Sequence, residues 1–220
     1  MNRIYLAKNI NDIPDNIKKE FHKEGDSFYI EDTVENRKKY KEILPIGYSN
    51  TPFKLAIDLI PKKSWGASLS NSLTTASWNS IRKPFIEKYG NRCQICGRKG
   101  KDLSNSIKDV DTHELWEYSS LKDDKKIQKL VGFVAVCSSC HLMFHLGFAE
   151  SINKKETTIK RLQKLEKLSD QEVYKRIQNI FDIWNKRSDY DWIIDISILK
   201  EYGFVNLKFK TKVDLNTFIV

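Results

Sequence analysis

Hydrophobic and polar positions divide the chain into a mixed lead-in, a β-prone centre and an amphipathic helical end. In the lead-in, Arg3–Ala7 and Ser27–Ile30 read as short strands and Val34–Ile43 as a charged helix. Phe53–Ile60 reads as an apolar strand that Pro61 ends, because proline lacks the N–H a strand ladder uses. Ser77 is placed to cap a helix through Trp78, Ile81, Phe85 and Ile86 toward Tyr89, with Pro84 inside it and Gly90-Asn91 breaking it. The centre holds two β-prone runs, Val110–Tyr118 and Leu130–Val136, with charged Lys122–Lys129 between them as a turn or short helix. A short helix over 138–146, ended by Gly147, follows. Ile159, Leu162, Leu165 and Leu168 then recur at helical spacing, which leaves Lys160, Arg161 and Lys164 on an outer, solvated face. Ser169-Asp170-Gln171-Glu172 is a capping-box pattern, with Leu168 and Val173 set as a hydrophobic staple. The helix it starts carries Val173, Ile177, Ile180, Phe181 and Trp184 on one face, and Phe204–Val213 alternates as a half-buried strand does.

The candidate chemistry sits in the centre. Cys93 and Cys96 form one Cys-x-x-Cys pair, Cys137 and Cys140 a second, and 40 residues separate them. Each turn presents two thiolates to one ion, and two turns complete a closed, tetrahedral, structural zinc site. His141 and His145 stand four apart and share one face of the helix expected there. His113 lies on the first β-prone run, with Asp111 and Glu114 beside it. His22, isolated in a charged segment, reads as a surface residue.

Composition narrows the class. At 220 residues, 40% hydrophobic and 30% charged, the chain can bury a core. No 18-residue apolar run suggests a membrane span, and the first residues lack the apolar core of a signal peptide, so the expectation is a cytoplasmic protein. The boundaries expected are a mixed region over 1–62, a zinc-stapled domain over 63–150, and C-terminal helices with a terminal strand over 151–220. Lys plus Arg number 38 against 29 for Asp plus Glu, a net charge of +9 that favours polyanions.

The order Cys-x-x-Cys, strand histidine, Cys-x-x-Cys-His-x3-His resembles the zinc-supported HNH endonucleases of the ββα-metal (His-Me finger) fold. Asp111-Thr112-His113-Glu114-Leu115-Trp116-Glu117-Tyr118, Cys137-x2-Cys140-His141-x3-His145-x-Gly147, and Trp184-Asn185-Lys186-Arg187-Ser188 with Trp192 and Asp195 are also similar to an HNH-like group of bacteria and phages. The resemblance spans roughly residues 63–199 and implies an α+β fold with a ββα-metal core stapled by the four cysteines.

It also implies metal-dependent hydrolysis of phosphodiester bonds, in DNA. His113 is then the general base, His141 and His145 hold a second divalent ion, and Asp111 or Glu114 ligates or orients. A second family pattern makes His113 a ligand and Glu114 the base. Histidine-rich ligation points toward Mn²⁺, Ni²⁺ or Zn²⁺ rather than Mg²⁺, which prefers oxygen. Phosphate contacts are expected from Arg82, Lys83, Arg92, Arg98, Lys99 and Lys101, near the first knuckle. Two other readings compete: a non-catalytic zinc module that binds nucleic acid or protein, and a redox protein working through Cys-x-x-Cys.

Overall fold

The computed structural model describes residues 3–5, 14–24, 27–31, 33–40, 55, 57, 59–88, 90–100 and 110–220. Among them the chain is a mixed α+β protein. Its N-terminal part holds β1 (Arg3–Tyr5), α1 (Asp15–Lys18), β2 (His22–Glu24), β3 (Ser27–Glu31) and α2 (Val34–Lys39). The three strands pair antiparallel in the order β1-β3-β2. Thr33 caps α2 by accepting the Asn36 N–H at 3.0 Å.

The segment expected as a strand over Phe53–Ile60 lies partly outside the described residues. Within them Leu55, Ile57 and Leu59 are buried, yet none of the three pairs in a sheet among the described residues. Side chains hold this backbone instead. The buried Glu166 carboxylate accepts the Leu55 N–H at 3.0 Å, and Arg176 donates to the Leu55 carbonyl and pairs with Glu166.

Next come α3 (Leu69–Ser72) and α4 (Thr75–Lys88). Helix α4 starts two residues before the expected Ser77 cap, because Thr74 Oγ1 accepts the Ser77 N–H at 3.3 Å. Pro84 lies inside α4.

The centre is an antiparallel hairpin of β4 (Val110–Tyr118) and β5 (Ile127–Cys137), with His113 opposite Val134 and Val110 opposite Cys137. A bulge between Leu115 and Trp116 shifts the register. β6 (Ile193–Asp195) runs parallel to β5, and β7 (Phe218–Ile219) parallel to β6. The expected strand over Phe204–Val213 is a single antiparallel bridge, Leu73 to Phe209. Its side-chain alternation reflects packing of Leu207 and Phe209 on the core rather than a ladder.

α5 (Ser138–His141) continues directly from β5, and a 3₁₀ turn over Leu142–Phe144 leads to α6 (Leu146–Ser151). The single helix expected over 138–146 is thus broken at His145, whose φ of −127° and ψ of 53° are not helical. Gly147 falls inside α6 and ends nothing. α7 (Lys155–Glu166) and α8 (Asp170–Ser188) follow, then α9 (Ile198–Glu201). The capping box of α8 is formed, Ser169 and Glu172 each accepting from the other's backbone N–H.

Two cores flank the hairpin. One gathers Leu55, Leu115, Val134, Met143, Leu146, Leu162 and Ile180 around the four cysteines. The other gathers Leu69, Ile81, Trp116, Leu130, Phe133, Trp192 and Ile194. Neighbours Phe133 and Val134 enter opposite cores, as the two-residue period of a strand requires. Covered on both faces, β5 reads as a nearly continuous apolar run. Each large side chain buried there contributes about 1.5–3 kcal/mol. No described helix is long and apolar enough to cross a membrane.

Candidate metal centre

The first knuckle is shaped by its backbone. The Cys93 N–H donates to the Arg98 carbonyl at 2.9 Å and the Gly97 N–H to the Cys93 carbonyl at 2.8 Å. Gly97 sits at φ 75°, a left-handed geometry that side chains other than glycine adopt reluctantly. Gln94 then joins this knuckle to β5. Its N–H donates to the Ala135 carbonyl at 2.8 Å, and its Oε1 accepts the Ala135 N–H at 2.6 Å. Two residues later β5 delivers Cys137, and the first turn of α5 delivers Cys140.

The four sulfurs lie within 4.8 Å of one another. Cys96 and Cys137 Sγ are 3.8 Å apart. A disulfide needs about 2.05 Å, whereas a tetrahedral site with Zn–S near 2.3 Å spaces its sulfurs by about 3.8 Å. The set can therefore hold a metal such as zinc. Cys93, Cys137 and Cys140 are buried and Cys96 is partly exposed. Hydrogen bonds with the other three sulfurs hold the Cys137 thiol below the ordinary range, and the same contacts push Cys140 up. Four thiolates need a cation between them to coexist.

His113 projects from β4 onto α5 and the turn after it. Its ring stacks on Phe144, centroids 4.3 Å apart. His113 Nδ1 lies 3.1 Å from His141 Nε2, and His145 Nε2 lies 3.1 Å from that same atom. With metal–nitrogen bonds near 2.1 Å, ligand nitrogens stand about 3.0 Å apart in an octahedral face and about 3.4 Å apart in a tetrahedral one. The observed spacing lies between. His141 Nε2 carries either one proton or one lone pair, so it makes a full hydrogen bond to only one of its two partners. The three nitrogens could instead hold one metal ion, which would satisfy all of them at once. Burial lowers the pKa of all three rings, that of His145 to about 4, so they are neutral donors at neutral pH.

The break at His145 does not separate the pair, because α5 and the 3₁₀ turn together still bring it back under His141. Asp111, expected as a further ligand, stays outside this converging set. Its Oδ1 accepts from Arg82 Nη1 at 3.0 Å and from the Thr112 N–H at 2.9 Å. Its charge still reaches His141 and favours the protonated ring, against burial. Glu114, expected beside His113 as catalytic group or base, is on the other face of β4. Strand alternation sends it toward α3, where it accepts the Leu69 N–H at 2.8 Å and bonds the Ser70 backbone. Burial lifts its carboxyl to about 7.

Of the basic residues expected to meet phosphate, Arg82 is tied beside the histidines through Asp111 and steadied by Asn79 Oδ1 at 3.1 Å. Arg92 Nη1 donates to the Gly97 carbonyl at 3.3 Å, which occupies it in shaping the knuckle. Lys83, Arg98 and Lys99 are exposed, and Lys101 lies outside the described residues. Trp78 and Trp116 pack in the second core. Sequence reasoning missed Gln94, Phe144 and Arg161. Arg161 is half-buried against Cys140 rather than on an outer face. The signal was present in its helical position: at about 100° per residue Arg161 sits about 60° from buried Thr158, while Lys160 points away. No protein-family model, curated protein or solved structure matches the chain.

Proposed function

We propose that the protein is a metal-dependent, HNH-like endonuclease that hydrolyses phosphodiester bonds in DNA, its working centre being His113, His141 and His145. The observation that carries this reading is the convergence of three neutral imidazoles, two of them 3.1 Å from the third, from a hairpin strand and the helix after it. The strand–strand–helix order and the four-cysteine cluster at its base agree with the family resemblance. The chemistry an ion supplies when held there is Lewis acidity toward water and toward a phosphate oxygen. Nitrogen donors favour a transition-type divalent ion over Mg²⁺.

The chain's own groups divide the remaining work. All three histidines act as ligands, because one nitrogen of each lies within 4.8 Å of the others and two of them meet the same His141 atom. Phe144 fixes the His113 ring by stacking. Arg82, oriented by Asp111 and Asn79, offers its remaining N–H groups to a phosphate. Glu114 serves the fold by holding α3 against the back of β4. The cysteine cluster fixes the start of α5, and so the place of His141.

The test is conversion of supercoiled plasmid to nicked and linear forms with Mn²⁺, Ni²⁺, Zn²⁺ or Mg²⁺ supplied. Wild type is expected to cut, with His113→Ala and His141→Ala at least 100-fold slower. Equal cutting by wild type and variants, or none by any, overturns the nuclease reading and leaves a zinc module that binds without cutting.

A further inference from the structure

Arg161, from the middle of α7, turns its guanidinium onto the cysteine cluster. Its Nε and Nη2 each lie 3.3 Å from Cys140 Sγ, so one sulfur receives two N–H donors in the paired geometry that guanidinium alone provides. Cys140 is fully buried, and water cannot supply these contacts. A divalent ion with four thiolates carries a net charge of about −2, which is costly to bury without a cation nearby. Leu162, the next residue, is fully buried in the cysteine core and fixes the register of the helix.

We propose that Arg161 is the guard of the four-cysteine metal centre, holding Cys140 as a charged, hydrogen-bonded and poorly nucleophilic ligand. The inference rests on the reading that the four cysteines bind a metal. Donation of two N–H groups withdraws electron density from the sulfur and weakens its attack on soft electrophiles. Because Cys140 is bonded to His141, the guard also steadies the backbone that carries the histidine centre.

The test uses the full chain as zinc protein and after substitution with Co²⁺. Zinc release is followed with a chromogenic chelator in excess N-ethylmaleimide, and the thiolate-to-cobalt charge-transfer band is recorded. Arg161→Gln is expected to release zinc at least tenfold faster, with the band shifted to lower energy, and Arg161→Lys to fall between. The band matters because loss of helix packing alone speeds release without changing the donor strength of a bound sulfur. Unchanged release, or faster release with an unmoved band, overturns the guard role. If Arg161→Gln does not fold, Arg161→Lys decides the matter by the same two readouts. Wild type without stoichiometric zinc refutes the metal reading itself, an outcome distinct from a wild type that binds zinc and a variant that behaves like it.

Discussion

His113 Nδ1 and His141 Nε2, from residues on a strand and a helix 28 positions apart, stand 3.1 Å from each other, and His145 meets the same His141 atom at 3.1 Å. A shared proton accounts for one of these contacts and a shared cation for both. His141 is the middle of the set, so His141→Ala is expected to abolish ion binding at the histidines while the cysteine-bound ion stays. Metal content per chain after gel filtration, measured by mass spectrometry, checks this. Wild type should carry one more ion than the variant, and equal content contradicts the assignment.

Cys96 is the partly exposed member of the cysteine set and closes it from the first knuckle. Cys96→Ser removes one thiolate of four, where a complete structural site supplies about 10–16 kcal/mol of apparent binding. The variant is expected to lose zinc and to recover poorly in soluble form. A folded Cys96→Ser protein with full zinc, shown by circular dichroism and metal analysis, would mean that the cluster does not need this ligand.

Glu166 and Arg176 form a buried pair that also holds both backbone polar groups of Leu55. Glu166→Ala leaves a buried guanidinium and an unbonded Leu55 N–H. The expected loss is about 3–5 kcal/mol, read from the urea midpoint at constant slope. A loss under about 1 kcal/mol would show that water or another group replaces the carboxylate.

Glu114 gives a pH dependence of definite sign. Its carboxyl is raised by burial to about 7, from an ordinary 4.5, so between those values the folded chain keeps a proton that the unfolded chain releases. Its contribution is fully present below pH 4.5 and lost as pH rises through about 7. Glu114→Gln keeps an acceptor for the Leu69 N–H and cannot ionise. The variant should gain stability relative to wild type as pH rises from about 5 to about 8. A difference that does not change with pH contradicts the raised pKa.

Arg82 contacts Asp111 through one N–H and Asn79 through another, which leaves donors for phosphate. Arg82→Ala should weaken DNA binding across sequences alike and lower the salt slope of log K by about one. An unchanged slope, measured by fluorescence anisotropy between 50 and 200 mM salt, removes Arg82 from the interface.

Much of this was legible because the informative patterns are local. The Cys-x-x-Cys spacing, the β4 limits at Val110 and Tyr118, and the Ser169–Glu172 capping box depend on residues a few positions apart. What escaped depends on tertiary context. The break at His145 arises as α5 passes through a 3₁₀ turn into α6, and no glycine or proline between them marks it. The tail over 204–213 keeps a strand-like alternation because it packs on a core, although its pairing is one isolated bridge, Leu73 to Phe209, rather than a ladder. The adjacent residues His113 and Glu114 looked like one functional unit, yet alternation on β4 sends one to the histidine cluster and the other to α3. Arg161 read as a solvated cation: its helical position borders the buried face, but its partner Cys140 lies 21 positions away, where no local pattern reaches.

The most direct measurement is an anomalous difference map from crystals of the protein purified without chelator and soaked with Zn²⁺, recorded on both sides of the zinc edge. The account expects two peaks: one equidistant from Cys93, Cys96, Cys137 and Cys140 Sγ, the other bonded to His113 Nδ1, His141 Nε2 and His145 Nε2. A peak among the sulfurs with none at the histidines, their rings turned apart or bridged by water, would contradict the proposed working centre and leave only the cysteine-bound ion.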